Sequence, residues 1–255
     1  MEVAVLSSGS KGNSTFIKTE NTKILIDLGV TKSYIEEKLK EIEEEPKEIS
    51  AILITHTHVD HIQGLKVFLK KYDPKLYVTE KIKSLLVEYG IEADYVICDK
   101  NFSIGDIDVE IIKTSHDAPG SVGFIISSGD KSLVYITDTG YINERYFDSL
   151  KNHNLYIMES NHNIEMLIEG SYPDHLKRRI WGDKGHLSNE AAGEYLSMFI
   201  GESTKTIVLA HISDDNNTYD QAYTEVFDIL KKKNKKVPKI IVAKQKQRTD
   251  LIEVW

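Results

Sequence analysis

Three histidines and one aspartate lie within six consecutive positions, in the segment HTHVDH. The segment directly follows AILI (51–54), an apolar, β-branched run that is typical of a buried strand. Alternate residues of an extended segment share one face, so His56 and His58 can converge on one metal ion. Asp60 and His61 lie beyond the bend and can bind a second ion. Because four such ligands would crowd a single ion, the segment predicts two ions at the end of a strand.

The composition restricts the other ligands that such a site can use. The single cysteine, Cys98, excludes both an internal disulfide and a thiolate metal cluster. Imidazole and carboxylate groups must therefore hold the metal, and together they suit zinc, manganese or iron. A catalytic site also needs three protein ligands for each metal and one open position. Further ligands must come from other parts of the chain.

Polar residues follow three other apolar runs of the sequence. His116 comes after VEIIKTS, Asp138 after LVYIT and His211 after TIVLA. We expect each to emerge at the same strand-end edge as the first cluster, where α/β folds present their ligands. The two carboxylate oxygens of Asp138 can bridge two ions. Asp27 follows KILI in the same way and is predicted to orient a ligand without binding the metal itself.

Short apolar runs alternate with longer helical patterns along the rest of the chain. About twelve β-branched runs predict strands, and ENTK (20–23) and SSGDK (127–131) predict two hairpins. No proline-rich linker or repeat divides the chain, so we expect one domain over residues 1–255. Helices outside two packed sheets account for this pattern. Apolar positions three and four residues apart predict helices over 32–41, 62–71, 80–88, 143–150, 173–180, 188–200 and 218–231.

Charge and hydropathy limit the partners of the protein. No stretch of eighteen apolar residues occurs and the N-terminal MEVAVLSSGS has no basic segment, so we expect a cytoplasmic protein with no membrane partner. The net charge of −8 argues against general binding to nucleic acid. However, nine basic residues lie within the eighteen positions 231–248. This basic segment is consistent either with contact to a polyanion or with a solvated helix end and strand.

HTHVDH, followed by the spaced His116, Asp138 and His211, resembles the metallo-β-lactamase superfamily. The resemblance implies an α/β fold, the αββα sandwich with two mixed β-sheets flanked by helices. It implies a centre of two divalent ions, Zn²⁺ or Mn²⁺, with iron as a third candidate. It also implies three ligands for the first ion, three for the second and one bridging ligand: His56, His58 and His116; Asp60, His61 and His211; and Asp138.

Two further elements resemble the RNA-processing phosphodiesterase branch of that superfamily, typified by the tRNA 3′-end endonuclease RNase Z. They are IMESNHN (157–163) and GHLSNEAAG (185–193). In that branch a glutamate after a strand hydrogen-bonds a histidine at the start of a helix, and Glu159 and His186 match these positions. An imidazolium held by a carboxylate can protonate the alkoxide that leaves a phosphodiester. Taken alone, His186 could be a helix cap and Glu159 a buried ion-pair partner.

Four segments together resemble the narrower YycJ/WalJ family of small bacterial proteins. They are SSGSKGNS (7–14), ESNHN, YPDHLKRRI (172–180) and GHLSNEAA. Asparagine ends ESNHN where aspartate is expected, which is a modest departure. The family is associated with 5′-exonuclease activity on double-stranded DNA and with DNA repair. SSGSKGNS itself could cradle a phosphate or form a tight turn between two strands.

These features predict a hydrolase that cleaves phosphodiester bonds in nucleic acid, DNA more than RNA, as an exonuclease that attacks the 5′ end of double strands. A hydroxide that bridges the ions, oriented by Asp60, would attack phosphorus, and His186, supported by Glu159, would protonate the leaving oxygen. His162 is a further candidate for a phosphate contact. Three basic residues could also hold flanking phosphates, or could form a solvated helix face: Lys177, Arg178 and Arg179.

Two other functions stay open at this point. A thioester or lactam hydrolase of the glyoxalase or lactamase type would use the same ions but would act on an acyl carbon. A non-enzymatic, metal-stabilised scaffold could bind a regulator. The complete ligand set argues against the scaffold, because structural metal sites are usually closed and rarely need two adjacent ions.

Overall fold

The computed structural model describes residues 1–233 and 235–255, and within them the apolar runs form two seven-stranded sheets. Twelve of the strands correspond to predicted runs, and β7 and β14 are additional, short strands. The strands are β1 (Glu2–Ser7), β2 (Ser14–Lys18), β3 (Lys23–Ile26), β4 (Ala51–Leu53), β5 (Lys75–Val78), β6 (Tyr95–Ile97), β7 (Phe102–Ile104), β8 (Ile107–Lys113), β9 (Val122–Ser128), β10 (Lys131–Ile136), β11 (Leu155–Glu159), β12 (Thr206–Ala210), β13 (Lys239–Val242) and β14 (Ile252–Glu253).

The strand order places most of the predicted site at the strand ends. The first sheet has the order β14-β1-β2-β3-β4-β5-β6 and the second the order β13-β12-β11-β10-β9-β8-β7. Strands β3 to β6 are parallel, as are β10 to β13, and both predicted hairpins, β2–β3 and β9–β10, are antiparallel. Strand β8 ends at the same edge as β10, because both run antiparallel to β9. Both sheets are therefore mixed, as predicted.

Eight α-helices occur in the part of the chain that the structure describes. None of them combines the length and the apolar character that a membrane-spanning helix requires. Thr218 is the N-cap of the last helix, and its side chain accepts a hydrogen bond from Gln221 N. The helices are α1 (Lys32–Lys40), α2 (Val59–Ile62), α3 (Leu65–Tyr72), α4 (Glu80–Glu88), α5 (Ile164–Glu169), α6 (Asp174–Trp181), α7 (Asn189–Phe199) and α8 (Tyr219–Lys232).

Two helix predictions were wrong in part or in whole. The segment 143–150 forms only a short 3₁₀ turn at Glu144–Tyr146. The hydroxyl of the buried Tyr156 donates to Leu150 O at 2.7 Å, so a tertiary contact takes a carbonyl at the end of this segment. The helix predicted over 62–71 is interrupted at Gly64, which separates α2 from α3.

The interruption at Gly64 follows from the close approach of another loop. Gly64 N donates to Leu28 O at 2.9 Å, and a Cβ at this position would lie 2.0 Å from Val30 O. Only glycine allows the two backbones to come so close. The apolar spacing of the segment did not reveal this contact.

The core has two apolar layers, which the strands of the second sheet separate. On β10, Leu133 and Tyr135 belong to the cluster shared with the first sheet, whereas Val134 and Ile136 belong to the cluster that includes α7 and α8. Because side chains alternate across a strand, the second sheet is buried on both faces. Helices α1, α3 and α4 pack in the first cluster, beside the first sheet. The αββα sandwich predicted from the sequence is confirmed.

Backbone hydrogen bonds join three loops at the strand-end edge. Leu28 N donates to His61 O at 2.8 Å, and Asn13 N donates to Asp60 O at 2.8 Å. Gly29 N donates to Asn13 O at 2.9 Å. A Cβ on Gly29 would lie 1.6 Å from Asp60 O. Only glycine at position 29 therefore lets this loop pack against the segment that carries Asp60.

We expect Gly29→Ala to lower the free energy of unfolding by about 2 kcal/mol or more, because the added methyl group forces Asp60 to move. The measurement is urea-induced unfolding together with zinc content. Gly129→Ala is the matched control, because Gly129 has a positive φ of 62° but no atom within 4 Å of a new Cβ. Equal effects of the two substitutions would contradict the close-approach argument.

Candidate metal centre

The seven predicted ligands meet at the strand-end edge of the two sheets. The loop and short helix after β4 carry four of them, and the loops after β8, β10 and β12 carry one each. All of them are buried or half-buried. The seven side chains are His56, His58, Asp60, His61, His116, Asp138 and His211.

The ligand atoms form overlapping groups whose members lie within 4.8 Å of one another. Two groups equal the sets that the resemblance implied for the two ions, and a third joins these sets through the expected bridging aspartate. A fourth group adds the predicted acid and its glutamate. In this order the groups are His56, His58 and His116; Asp60, His61 and His211; His56, His61 and Asp138; and Asp138, Glu159, His186 and His211.

Distances between the ligand atoms are those expected around an ion. Atoms placed about 2.1 Å from a tetrahedral zinc ion lie roughly 3.4 Å from one another. His61 Nε2 is 3.4 Å from Asp60 Oδ2 and 3.2 Å from Asp138 Oδ2. His211 Nε2 is 3.4 Å from Asp60 Oδ2. These four side chains therefore point their donor atoms at a common region.

Two buried atoms of the cluster lack a hydrogen-bond partner among the described residues: His56 Nε2 and Asp138 Oδ2. Leaving a buried polar atom unpaired costs about 1–3 kcal/mol. A cation satisfies both atoms, since each offers a lone pair. The residues present therefore fit a centre of divalent metal ions.

Three polar residues at the strand ends adopt left-handed backbone conformations. Asp27, Asp138 and His211 have φ of 59°, 54° and 55°. Such residues are strained by about 1–3 kcal/mol when they are not glycine, and they persist only where neighbours hold them. Asp27 N donates to Leu53 O at 2.8 Å, and His211 N donates to Ser8 Oγ at 2.7 Å. The strain turns the chain at the strand end and points these side chains into the site.

Asp27 lies behind a ligand, at the place predicted from the sequence. Its Oδ2 is 2.7 Å from His61 Nδ1 and accepts from Thr55 Oγ1 at 2.7 Å, and its Oδ1 accepts from Thr55 N at 2.8 Å. Since Nδ1 of His61 donates to this carboxylate, Nε2 keeps its lone pair for a metal. Asp27 thus orients His61 without facing the ion.

When no metal is bound, protons on the histidines balance the carboxylate charges around Asp60, His61 and His211, which we call the second group. Burial opposes ionisation, but the adjacent histidines hold the pKa of Asp60 and Asp138 well below the ordinary range. Burial likewise opposes a charge on His61, yet the neighbouring carboxylates raise its pKa well above the ordinary value. They raise the pKa of His211 to about 10. A metal ion at this site must therefore displace protons.

The first group has the opposite character. Burial lowers the pKa of His56, His58 and His116, and for His56 the positive charge of His61 adds to this effect. These three rings are therefore neutral near pH 7, which is the form that binds a metal.

Glu159 holds two histidines at once. Its Oε1 is 2.7 Å from His186 Nδ1 and 2.9 Å from His211 Nδ1, and its Oε2 accepts from the backbone amides of Thr139 and Leu187 at 3.1 and 3.0 Å. Burial would raise its pKa, but the two rings outweigh that effect and lower the pKa to about 2. The contact with His186 was predicted, whereas the contact with His211 was not. One carboxylate therefore links the predicted acid to a predicted metal ligand.

The loop SSGSKGNS is a turn that supports the second group. Asn13 Nδ2 lies 3.2 Å from Asp60 Oδ2, and Gly9 N donates to Asn13 Oδ1 at 2.8 Å. Ser8 Oγ accepts from the backbone of His211 at 2.7 Å. Internal bonds thus use polar groups that a phosphate cradle would need, which favours the turn. The glycine before Asn13 was the only sequence signal for this role.

None of the predicted substrate contacts belongs to the four groups of candidate metal-binding atoms. His162 has no exposed surface, and neither of its ring nitrogens has a partner among the described residues, so a substrate phosphate cannot reach it without a rearrangement. The three basic residues lie on α6. Lys177 Nζ donates to Ile168 O at 2.6 Å, and Arg179 Nε donates to Asp117 Oδ2 at 2.6 Å.

We expect the binding of two zinc ions to release about two protons near neutral pH, because His61 and His211 each carry a proton that a metal replaces. The affinity should therefore fall as the pH is lowered from about 8 to about 6. Calorimetry in two buffers of different ionisation enthalpy measures the release. His211→Gln should release one proton fewer, and a binding enthalpy that is independent of the buffer would contradict the expectation.

Sequence comparison relates the chain to a defined group of proteins. The profile of the metallo-β-lactamase superfamily matches residues 8–211. The chain is 39% identical over 234 residues to exodeoxyribonuclease WalJ of Streptococcus pneumoniae, with 89% of this chain and 87% of that protein covered. It is 37% identical over 238 residues to exodeoxyribonuclease YycJ of Bacillus anthracis, with 91% and 90% covered.

Structural comparison agrees at the level of the fold. The crystal structure of the metallo-β-lactamase fold protein YhfI from Bacillus subtilis matches with a TM-score of 0.73 and covers 97% of this chain and 98% of YhfI. The two sequences are 16% identical, so this match bears on the fold alone. The chain belongs to the metallo-β-lactamase superfamily and, within it, to the YycJ/WalJ family of metal-dependent hydrolases.

Proposed function

We propose that this protein is a DNA exonuclease that hydrolyses phosphodiester bonds from the 5′ end of double-stranded DNA with two divalent metal ions. The relatives at 39% and 37% identity are named exodeoxyribonucleases, and the matches extend over most of each protein. The observation that carries the proposal is the buried Glu159–His186 pair at the edge of the metal centre. It supplies an acid that a phosphodiester needs.

The metal-binding residues divide into two sets around one shared carboxylate. His56, His58 and His116 would hold one ion, the second group would hold the other, and Asp138 would bridge them. When bound, two such ions provide a nucleophilic water near neutral pH and neutralise charge on the phosphoryl oxygens. We propose zinc or manganese, since both accept imidazole with carboxylate, and iron remains a third candidate. Asp60, which Asn13 contacts, would orient the attacking water.

His186 is placed to move a proton. Its Nδ1 is tied to Glu159, which leaves Nε2 available for the leaving oxygen. The side chain is 17% exposed, so a substrate can reach it while the ring stays fixed. Its Nδ1 lies 3.7 Å from Asp138 Oδ1, so the ring is beside the carboxylate that would bridge the ions.

The same pair argues against thioester substrates. A phosphodiester expels an alkoxide of high pKa, which gains from protonation in the transition state. A thioester expels a thiolate, whose conjugate acid has a pKa of about 8–9, and it needs no such acid. A histidine held by a buried carboxylate, and placed to donate a proton, therefore favours the phosphodiester over the thioester as substrate.

The C-terminal end of the basic segment 231–248 lies beside His211. Ser8 N donates to Lys244 O at 3.3 Å, while Ser8 Oγ contacts the backbone of His211. The start of β13 is at the other end of the sheet, because β13 runs parallel to β12 and Lys239 lies opposite Thr206. Asn234, within the segment, lies outside the described residues, and Arg248 pairs with Glu41, which reduces its availability to a phosphate. The exposed Lys244 and Lys246 would offer positive charge to a polyanion near the metal centre, although the protein as a whole is acidic.

His186→Ala should reduce turnover of DNA by about 10² to 10⁴ and leave the metal content unchanged, because the ring supplies a proton and is not needed to hold the ions. Single-turnover cleavage and elemental analysis measure the two quantities. His175→Ala is the matched control, since His175 is exposed on α6. Loss of metal in His186→Ala would show instead that this histidine is a ligand.

The substrate class is tested with the purified protein, zinc or manganese, and single- and double-stranded DNA and RNA labelled at either end. We expect mononucleotides or short products from the 5′ end of double-stranded DNA. S-lactoylglutathione and nitrocefin report the acyl hydrolase alternative. Turnover of either acyl substrate together with inertness towards all four nucleic acids would refute the proposal.

A further inference from the structure

His58 differs from the other histidine ligands in its exposure. Its side chain is 35% exposed, whereas those of His61, His116 and His211 are 0%, 1% and 4% exposed. Packing on all sides fixes the orientation of a buried ring. A ring that is one-third exposed can rotate and exchange its two nitrogens, so His58 needs another restraint if it is to present the same atom to a metal.

The position of Asp117 provides such a restraint. His58 Nδ1 lies 3.2 Å from His116 Nε2, at the spacing of two ligands of one ion. The other nitrogen of the ring, Nε2, lies 3.3 Å from Asp117 Oδ1. The group that unites His56, His58 and His116 within 4.8 Å does not include Asp117. The same oxygen lies 3.5 Å from His116 Nε2, so the carboxylate is beside the ligand set and within reach of the second ring nitrogen of His58.

Arg179 holds Asp117 in this position. Arg179 Nε donates to Asp117 Oδ2 at 2.6 Å, and this leaves Oδ1 to face His58. Arg179 is on α6 and Asp117 directly follows the ligand His116, so the ion pair joins this helix to the metal centre.

The second group of ligands contains the same arrangement with the ring reversed. Asp27 Oδ2 lies 2.7 Å from His61 Nδ1, and His61 Nε2 faces the metal ligands. Around His58, Nε2 faces the carboxylate and Nδ1 faces the metal ligands. A carboxylate behind a histidine fixes the tautomer and the orientation of the ring whichever nitrogen it contacts.

We propose that Asp117 is a positioning residue for His58: it accepts the Nε2 proton, so that Nδ1 is directed at the first metal ion, and Arg179 keeps the carboxylate in place. The inference rests on the two-metal centre of the proposed function. It assigns Arg179 to the metal centre and removes it from the residues proposed to hold substrate phosphates. It also predicts that substitution of Arg179 on α6 affects metal binding.

The test measures zinc affinity by competition with a chelator, for the full chain and without nucleic acid. Asp117→Ala should lower the affinity for one of the two zinc ions by about 10- to 100-fold and leave the affinity for the other unchanged. This is the usual effect of losing a group that orients a metal-bound histidine. Asp117→Asn keeps an acceptor oxygen and should restore part of the affinity. Asp148→Ala is the matched control, because Asp148 is 97% exposed and pairs with Lys151, outside the metal centre.

Arg179→Ala should lower the affinity for the same zinc ion by a smaller factor. Because Arg179 acts through Asp117, the double variant should bind zinc no more weakly than Asp117→Ala alone. The visible spectrum of the cobalt-substituted protein should change for one ion only. Should Asp117→Ala fail to fold by circular dichroism, Arg179→Ala, at a side chain that is 55% exposed, provides the same test.

Three results would overturn the inference. They are unchanged affinity in both single variants, additive losses in the double variant, and complete loss of the first ion from Asp117→Ala, which would make Asp117 a ligand. Since no nucleic acid is used, a protein that binds zinc as expected but cleaves no DNA would contradict the proposed function and leave this inference standing.

Discussion

Acidic side chains buried at the meeting edge of the two sheets are the constraint on which the rest of this structure depends. Asp27 and Glu159 have no exposed surface and Asp138 is 2% exposed, so bulk water does not solvate their charges. Buried carboxylates require nearby positive charge. Protons on His61 and His211 meet this requirement in the metal-free protein, and divalent metal ions would meet it by replacing those protons. The site is therefore built around cations that the chain does not itself contain.

Orientation of imidazole rings is the second theme of the site. Asp27 directs His61, and Glu159 directs both His211 and His186, in each case by taking one ring nitrogen and leaving the other. Glu159 thereby couples a metal ligand to the proposed acid, so the two cannot move independently. The half-buried His58 has no fully buried carboxylate beside it. We assign the orienting role at this ring to Asp117.

The branch of the superfamily is decided by chemistry beyond the metal ligands. Several reactions can use the same pair of ions, because the ions supply only a nucleophile and charge stabilisation. The need for a proton at the leaving group separates phosphodiesters from thioesters. In the proposed function, Glu159 at the end of β11 and His186 just before α7 would meet that need.

By itself, the sequence determined the architecture and named the candidate metal-binding residues that the fold brings together, because apolar runs and the polar residues that end them are local features. Burial on both faces of the second sheet and the groups around His56 agree with those local patterns. Only the tertiary structure decided the supporting contacts. Asn13, Asp117 and the double contact of Glu159 unite residues far apart in sequence. No local pattern encodes such contacts, since they depend on which loops the sheets bring together.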